Sequence, residues 1–345
     1  MTGRCYAFVD LPNWLGDFLH TLPALKRLLE SGRGEVTVAL PPSLVGLARV
    51  VGATAVPRPP GAGGRWLRRT LSVNFEVALT ARHSTRAKLL LAAAPAARRL
   101  ASRGRGAALV GLETFPVERA RHQRHDLDAA LLRLGLAPVD DRPIRLHLPE
   151  ALKHGSWRWR ARCGGGAPLA VLLPGSSHHP AKRYPLSAYC QVAQLLHAAG
   201  VTPVAMGGPG DETLASTLAQ VPGVRLAPLG LPAELAAALL AECDVAIGND
   251  SGLAHLAAAV GCPTVVLYGP TDPARTAPVG EATVLATGAF RGEASWASVP
   301  PSQVVQVALS LLEGGRRGGG CGMATGTVSW TRRWAVSSTG RARDS

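Results

Sequence analysis

Four consecutive small polar residues, Asn249-Asp250-Ser251-Gly252, sit between two apolar segments and have the composition of an anion-binding turn. They follow the apolar run at 241–248, which reads as a buried parallel strand, and precede an alanine-rich helix expected over about 253–260 and closed by Gly261. A hydroxyl and unbonded backbone N–H groups at a helix N-terminus suit a phosphate. Asn, Asp and Ser are also common as plain helix caps, so capping is the alternative reading. Two more loops at predicted strand ends carry polar side chains. Residues 12–17 include Asn13, Gly16 and Asp17, and residues 174–185 include Ser176, Ser177 and Lys182. The loop at 207–212 ends in Asp211 and Glu212, either of which could hydrogen-bond ribose hydroxyls. No Gly-Lys-Ser/Thr follows its glycines, so it is not a Walker loop.

Loops of this kind must be held at the ends of strands. In the first half, strands are predicted at 5–9, 35–40, 75–80 and 107–112, with helices over 16–30 and from residue 43. In the second, strands are predicted at 169–173, 202–206, 224–226 and 263–268 besides the run before Asn249, with helices over 186–199, 211–220, 232–242 and 301–313. Strands alternating with helices indicate parallel sheets covered on both faces. The expected division is an N-terminal α/β domain over 1–150, a linker over 151–166, a second α/β domain over 167–313 and a disordered basic tail over 314–345. Two such domains facing a cleft would bind ligands at the carboxyl ends of their strands.

The 345 residues, 47% of them apolar, suffice for two hydrophobic cores. No run has the length and apolarity of a membrane helix. The first residues lack the pattern of a signal peptide, so a soluble, cytoplasmic protein is expected. Six scattered cysteines with no C-x-x-C pair, and histidines without ligand spacing, argue against a metal site or a disulfide framework. The formal net charge is +14. Between Arg65 and His125 there are thirteen Lys or Arg against three acids, and six arginines against one acid lie beyond Gly314. Such an excess attracts anionic partners over long range. Nucleic acid is the weakest candidate among them, because no nucleic-acid-binding signature accompanies the charge.

The segments LPNWLGDFLHTLPALKRL, LLPGSSHHPAKRYP and GNDSGLAHLAAAVGCPTVVLYGPTDP, in this order, resemble the ADP-heptose:lipopolysaccharide heptosyltransferases, glycosyltransferase family 9. The likeness runs over roughly residues 4 to 312. NWLGD is similar to the second-heptose branch, and GDFLHTLPAL equally to the first. The resemblance implies the GT-B architecture, two Rossmann-like doubly wound parallel-sheet domains facing a cleft, with the donor held mainly by the C-terminal one. It also implies inverting, metal-independent transfer of heptose from ADP-heptose to the inner core of lipopolysaccharide, without a cofactor. Three features depart from the family pattern. Asp10 stands where many relatives have a basic or small polar residue, which could change acceptor preference. Tyr184 replaces a tryptophan, and Ala254 a larger residue.

An inverting transfer needs a base for the acceptor hydroxyl. Asp17, in the first turn of a helix whose dipole favours the ionised carboxylate, is the candidate and is also where the resemblance places the base. Asn13, Gly16 and His20 are expected on the acceptor side, with a purely structural His20 as the alternative. The leaving diphosphate needs positive charge and N–H donors. Lys182 is expected to supply the charge, and Ser176, Ser177, Asn249, Ser251, Gly252 and His255 to contact the donor. Asp250 is expected to cap the helix or to hold sugar hydroxyls. Asp211 or Glu212 would hold the ribose. The basic stretch at 65–125 would suit an anionic lipid-linked glycan acceptor at the inner leaflet, compatible with peripheral contact with the inner membrane surface. Two alternatives remain: a family glycosyltransferase using another sugar nucleotide or acceptor, and a catalytically silent carbohydrate-binding relative.

Overall fold

Short β-branched and aliphatic runs separated by amphipathic segments give two six-stranded parallel sheets. In the computed structural model, residues 5–107, 110–164, 166–176, 180–287 and 296–317 are described. By internal contacts the chain divides into two units. One comprises Met1–His154 with Pro232–Ala238 and Ala274–Gly280, and the other holds the remainder.

The first unit runs β1 (Cys5–Asp10), α1 (Leu15–Leu29), β2 (Glu35–Leu40), α2 (Val45–Val50), β3 (Thr54–Pro57), α3 (Gly64–Thr70), β4 (Phe75–Thr80), α4 (Thr85–Ala92), β5 (Ala96–Ser102), β6 (Glu113–Phe115) and α5 (Asp128–Arg133). Its sheet has the order β3-β2-β1-β4-β5-β6 with every pair parallel. This is a doubly wound order whose switch point lies between β1 and β4. One layer of its core joins Phe8, Ala39, Phe75 and Ala78 of the strands to Leu67 of α3 and Leu90 and Leu91 of α4.

The second unit continues through α6 (Glu150–Gly164), β7 (Leu169–Leu173), α7 (Leu186–Ala198), β8 (Thr202–Ala205), α8 (Glu212–Leu218), β9 (Arg225–Leu226), α9 (Ala233–Ala241), β10 (Val245–Asn249), α10 (Gly252–Val260), β11 (Thr264–Tyr268), α11 (Pro273–Thr276), β12 (Thr283–Ala286) and α12 (Pro301–Arg317); α11 and part of α9 group with the first unit. Its order, β12-β11-β10-β7-β8-β9, repeats the topology of the first sheet, with the switch point between β7 and β10. Leu172, Ile247, Val265 and Leu267 of the strands pack with Tyr189, Val192 and Leu196 of α7. Gly261 closes α10 at φ +86°, a left-handed stop that a glycine adopts without strain. Two Rossmann-like sheets of this order are the GT-B architecture.

Three expectations need correcting. The fourth strand of the first half is Ala96–Ser102, not 107–112, and two short strands, Thr54–Pro57 and Glu113–Phe115, flank the sheet unannounced. Arg98 and Arg99 disguised β5: Arg98 pairs with Glu113 on the neighbouring strand, and Arg99 donates to the Ala94 carbonyl. The expected linker at 151–166 is largely helix α6, tied down by Arg160, which donates to Asp244 at 2.9 Å and to the Glu242 carbonyl. The unit boundary falls inside this helix, between His154 and Gly155. Residues 314–317, expected to begin the tail, are the last turn of α12, and 318–345 lie outside the described residues. Among the described residues, no helix is long and apolar enough to cross a membrane.

Candidate functional site

At the switch point of the second sheet, the loop after β7 meets the turn after β10. Asn249, the last residue of β10, has no exposed surface, and its amide joins the two loops. Its Nδ2 donates to the carbonyls of Pro174 (2.8 Å) and Gly175 (3.2 Å), while its Oδ1 accepts the Tyr184 N–H at 2.9 Å and the Tyr189 hydroxyl at 3.3 Å. Both ends of the amide are thus engaged by the protein. Asn249 ties the loop after β7 to the turn after β10.

Lys182 ends a short 3-10 turn, Pro180–Lys182, whose neighbours are fixed on its C-terminal side. Arg183 donates to the Ser176 carbonyl at 3.1 Å. Tyr184 is buried edge-on to Tyr189 and Trp296, and its hydroxyl donates to the Val299 carbonyl at 2.7 Å. Burial pushes this phenol up to about 12. Tyr184 therefore fills the core and makes a buried hydrogen bond.

From this footing the Lys182 ammonium donates to Asp250 Oδ2 at 2.8 Å. The same oxygen accepts the Thr271 hydroxyl at 2.9 Å, and Oδ1 lies 3.1 Å from His255 Nε2. Burial opposes ionisation of Asp250, but the His255 hydrogen bond and charge, and then Lys182, outweigh it and hold the carboxyl well below the usual range. Asp250 is thus anchored within the protein. It does not cap α10, whose N-cap is Ser251, and its two oxygens are occupied by side chains of the protein. His255 is likewise buried one turn into α10, where it holds Asp250. What remains is a lysine with two further N–H donors, beside a helix start that lacks a side-chain cap. Ser251 and Gly252 lie at that start.

Ser176 is buried and donates to the Asp250 carbonyl at 3.4 Å, so it ties the loops together; Ser177 lies outside the described residues. The two acids of the next loop differ. Glu212 Oε2 accepts the Gly210 N–H at 2.9 Å, closing its own turn. Asp211 lies against Gly175 so closely that any Cβ there would collide with its carboxylate. Burial raises the Asp211 pKa against the opposing charge of Arg183. Asp211 therefore belongs to the loop cluster at the switch point, and Glu212 to the turn that carries it.

In the first unit, α1 starts after an extended Trp14, which makes no side-chain cap, with Gly16 and Asp17 in its first turn. Asp17 is half-buried, and its Oδ1 accepts from Gln123 Nε2 at 3.0 Å, an interaction no sequence signal announced. His20 is buried with its ring edge-on to His122, centroids 5.3 Å apart. His122 Nε2 lies 2.7 Å from the Ala277 carbonyl and its Nδ1 accepts the Arg124 N–H at 3.2 Å, a pattern that fits the neutral Nε2–H ring.

Asp10 lies beneath the loop that carries Asp17. It is wholly buried and ion-paired with Arg58 and Arg82, and it accepts the Thr80 hydroxyl at 3.0 Å. Arg58 also donates to the carbonyls of Ala39 and Leu11 at 2.9 Å each, and to Asn13 Oδ1 at 2.6 Å. The unusual aspartate is therefore an internal counter-charge for an arginine that laces the loop after β1, and Asn13 is held by that lacing.

Comparisons with known proteins agree with this architecture. The profile of glycosyltransferase family 9 (heptosyltransferase) matches residues 65–290. A Haemophilus influenzae protein described as lipooligosaccharide heptosyltransferase 2 is 34% identical over 137 residues, 35% of this chain and 37% of that protein. The lipopolysaccharide heptosyltransferase 2 of Salmonella typhimurium is 37% identical over 118 residues, 32% of this chain and 34% of its own length. The chain thus spans little more than a third of these curated relatives in alignment. In fold, the structure of Escherichia coli ADP-heptose LPS heptosyltransferase II superposes with a TM-score of 0.75 at 22% identity, covering 90% of this chain and 99% of that one.

Proposed function

The chain belongs to glycosyltransferase family 9, and from that membership we propose that it is a heptosyltransferase using ADP-heptose as donor and the inner core of lipopolysaccharide as acceptor. The observation that carries the donor half is the Lys182 ammonium, anchored on Asp250 beside the start of α10 at the switch point of the second sheet. In α/β folds of this order ligands bind at that point, and a lysine with helix-start amides suits a diphosphate. The curated relatives named heptosyltransferase 2, and the fold shared with a heptosyltransferase structure, favour ADP-heptose as donor.

In the proposed reaction Asp17 accepts the proton of the acceptor hydroxyl, whose oxygen attacks the anomeric carbon of the heptose. The bond from that carbon to the diphosphate oxygen breaks, and its electron pair leaves with ADP. Attack opposite the leaving group inverts the anomeric centre. Lys182, with the amides at Ser251 and Gly252, meets the charge that grows on the β-phosphate, so that no metal ion is required. Gln123 orients the Asp17 carboxylate through Oδ1, leaving Oδ2 for the incoming proton. Asp211 is assigned to the ribose, because Glu212 is engaged by its own turn.

The test is formation of heptosylated product from ADP-heptose and a Kdo-bearing lipid A acceptor, read by mass spectrometry with and without EDTA. Transfer that survives the chelator supports the whole reading. Transfer abolished by EDTA and restored by a divalent ion removes the metal-independent part. Donor binding without transfer to this acceptor redirects the assignment to another acceptor or to a carbohydrate-binding role.

A further inference from the structure

A second polar site lies in the first unit, at the carboxyl ends of β4 and β5. A cavity of about 510 Å³ opens there, of a size that accommodates a small ligand group. Its lining includes Lys88, Arg103, Arg105 and Arg119, together with His83 and Ser102, and it contains no acidic side chain. Among the described residues, none of these four cations is ion-paired with a carboxylate.

Lys88 is the informative member. It projects from α4 and is only 2% exposed, yet among the described residues its ammonium makes a single long hydrogen bond, 3.5 Å, to the Arg103 carbonyl. An ammonium carries three donors, and burying one without a counter-charge is costly. Burial accordingly pushes its pKa down. The backbone comes close to it at Gly104, where a Cβ would lie 3.0 Å from Lys88 Nζ and φ is +136°. Only glycine gives that approach without strain. Ser84 caps α4 by accepting the Ala87 N–H, and the first turn of the helix borders the same cavity. On the other wall, Ser102 Oγ lies 2.9 Å from His83 Nδ1, and His83 Nε2 lies 3.5 Å from Asp126, which Arg275 binds at 2.6 Å. Asp126 is thus committed to Arg275 and His83.

We infer that this cavity binds a phosphate group, with Lys88 as its buried anchor and Arg103, Arg105 and Arg119 as its rim. The ligand is a phosphomonoester borne by the acceptor, on its sugar or its lipid portion. That assignment to the acceptor rests on the transferase reading, whereas the binding of phosphate does not.

The experiment uses the full chain and two probes. Calorimetric titration with inorganic phosphate should show saturable binding, weakened about tenfold in Lys88→Met, the loss expected for one hydrogen bond to a charged group. Arg105→Gln, at an exposed position, should weaken it less, and Lys153→Gln, a surface charge outside the cavity, should leave it unchanged. Absence of phosphate binding, or binding by both cavity variants equal to that of the unaltered protein, overturns the proposal even if Lys88→Met folds poorly. Co-sedimentation with phosphatidylcholine vesicles, with and without phosphatidic acid, then identifies the source. Phosphatidic-acid-dependent binding lost in Arg105→Gln supports a lipid-borne phosphate. Phosphate binding without such dependence supports a phosphate on the sugar. If ADP-heptose fails to bind, the transferase reading falls while the phosphate titration still decides the cavity.

Discussion

Lys182 Nζ and Asp250 Oδ2 are 2.8 Å apart, and that carboxylate is at the same time bound by Thr271 and His255. The lysine is thereby aimed before any anion arrives. Lys182→Met should lower kcat about 10²- to 10³-fold, the usual cost of losing one group that stabilises developing charge. Asp250→Asn keeps the ammonium but loosens it, and should cost about tenfold with the larger part in kcat, since anchoring matters most where charge develops. Steady-state kinetics with ADP-heptose checks both; equal and near-native rates would remove the pair from the reaction.

Asp17→Asn should reduce transfer about 10²- to 10⁴-fold, the range for a positioned general base, while the Kd for ADP-heptose stays within a factor of two or so. Gln123→Ala should give a smaller loss, about three- to tenfold, because it removes only the orienting bond. A rate near native for Asp17→Asn assigns the base elsewhere.

Asn249→Ala strips four hydrogen bonds from two buried loops and leaves the Tyr184 N–H and the Pro174 and Gly175 carbonyls without that partner. Denaturant unfolding should show a loss of about 2–4 kcal/mol, since each orphaned buried group costs about 1–3 kcal/mol and some will be rehydrated.

Asp250 titrates below its ordinary range in the folded state, so it stabilises the fold above the unfolded carboxylate value of about 4, and that contribution is lost as pH falls below it. Asp250→Asn should flatten the acid limb of a stability-against-pH curve below pH ~4, with its largest deficit near neutrality. Parallel curves for the two proteins would show that the carboxylate contributes no linkage.

Arg58→Met strands a buried Asp10 with only Arg82 and Thr80, and should cost about 3–5 kcal/mol. Removing the aspartate as well, in Asp10→Leu with Arg58→Met, should recover much of that stability. It should not recover activity, because Asn13 and the loop after β1 lose their tie to Arg58. Recovery of both would reduce the pair to packing.

The second unit was the more legible half. An apolar run, a polar turn, an alanine-rich segment and a terminal glycine place α10 to within a residue and the end of β10 likewise, although the strand starts at Val245 and not 241, where α9 is ending. The first sheet was harder to read, because β3 and β6 are short and β5 carries two arginines whose charges are met across the sheet edge and at a neighbouring carbonyl. The loops bearing Asp17 and Lys182 stand out in sequence because their polar residues adjoin strand ends. The partners that orient those residues do not. Gln123 is 106 positions from Asp17, and Thr271 is 21 from Asp250. Asn249, His20 and His255 stand out in sequence by type, but their burial against protein partners is not legible there.

The order of the strands along the chain has a consequence for biosynthesis. All six strands of the first sheet are complete by Phe115, before any strand of the second begins at Leu169. Domains fold as units while the chain emerges, so the first sheet can close on the ribosome without waiting for the rest. Its unit is nevertheless unfinished at that moment, for Arg275 must still reach Asp126 and the Val279 carbonyl the Ile144 N–H. A nascent chain stalled short of residue 274 would therefore present a formed sheet whose unit still lacks its last segment, the stage at which chaperone capture and proteolytic nicking would be greatest.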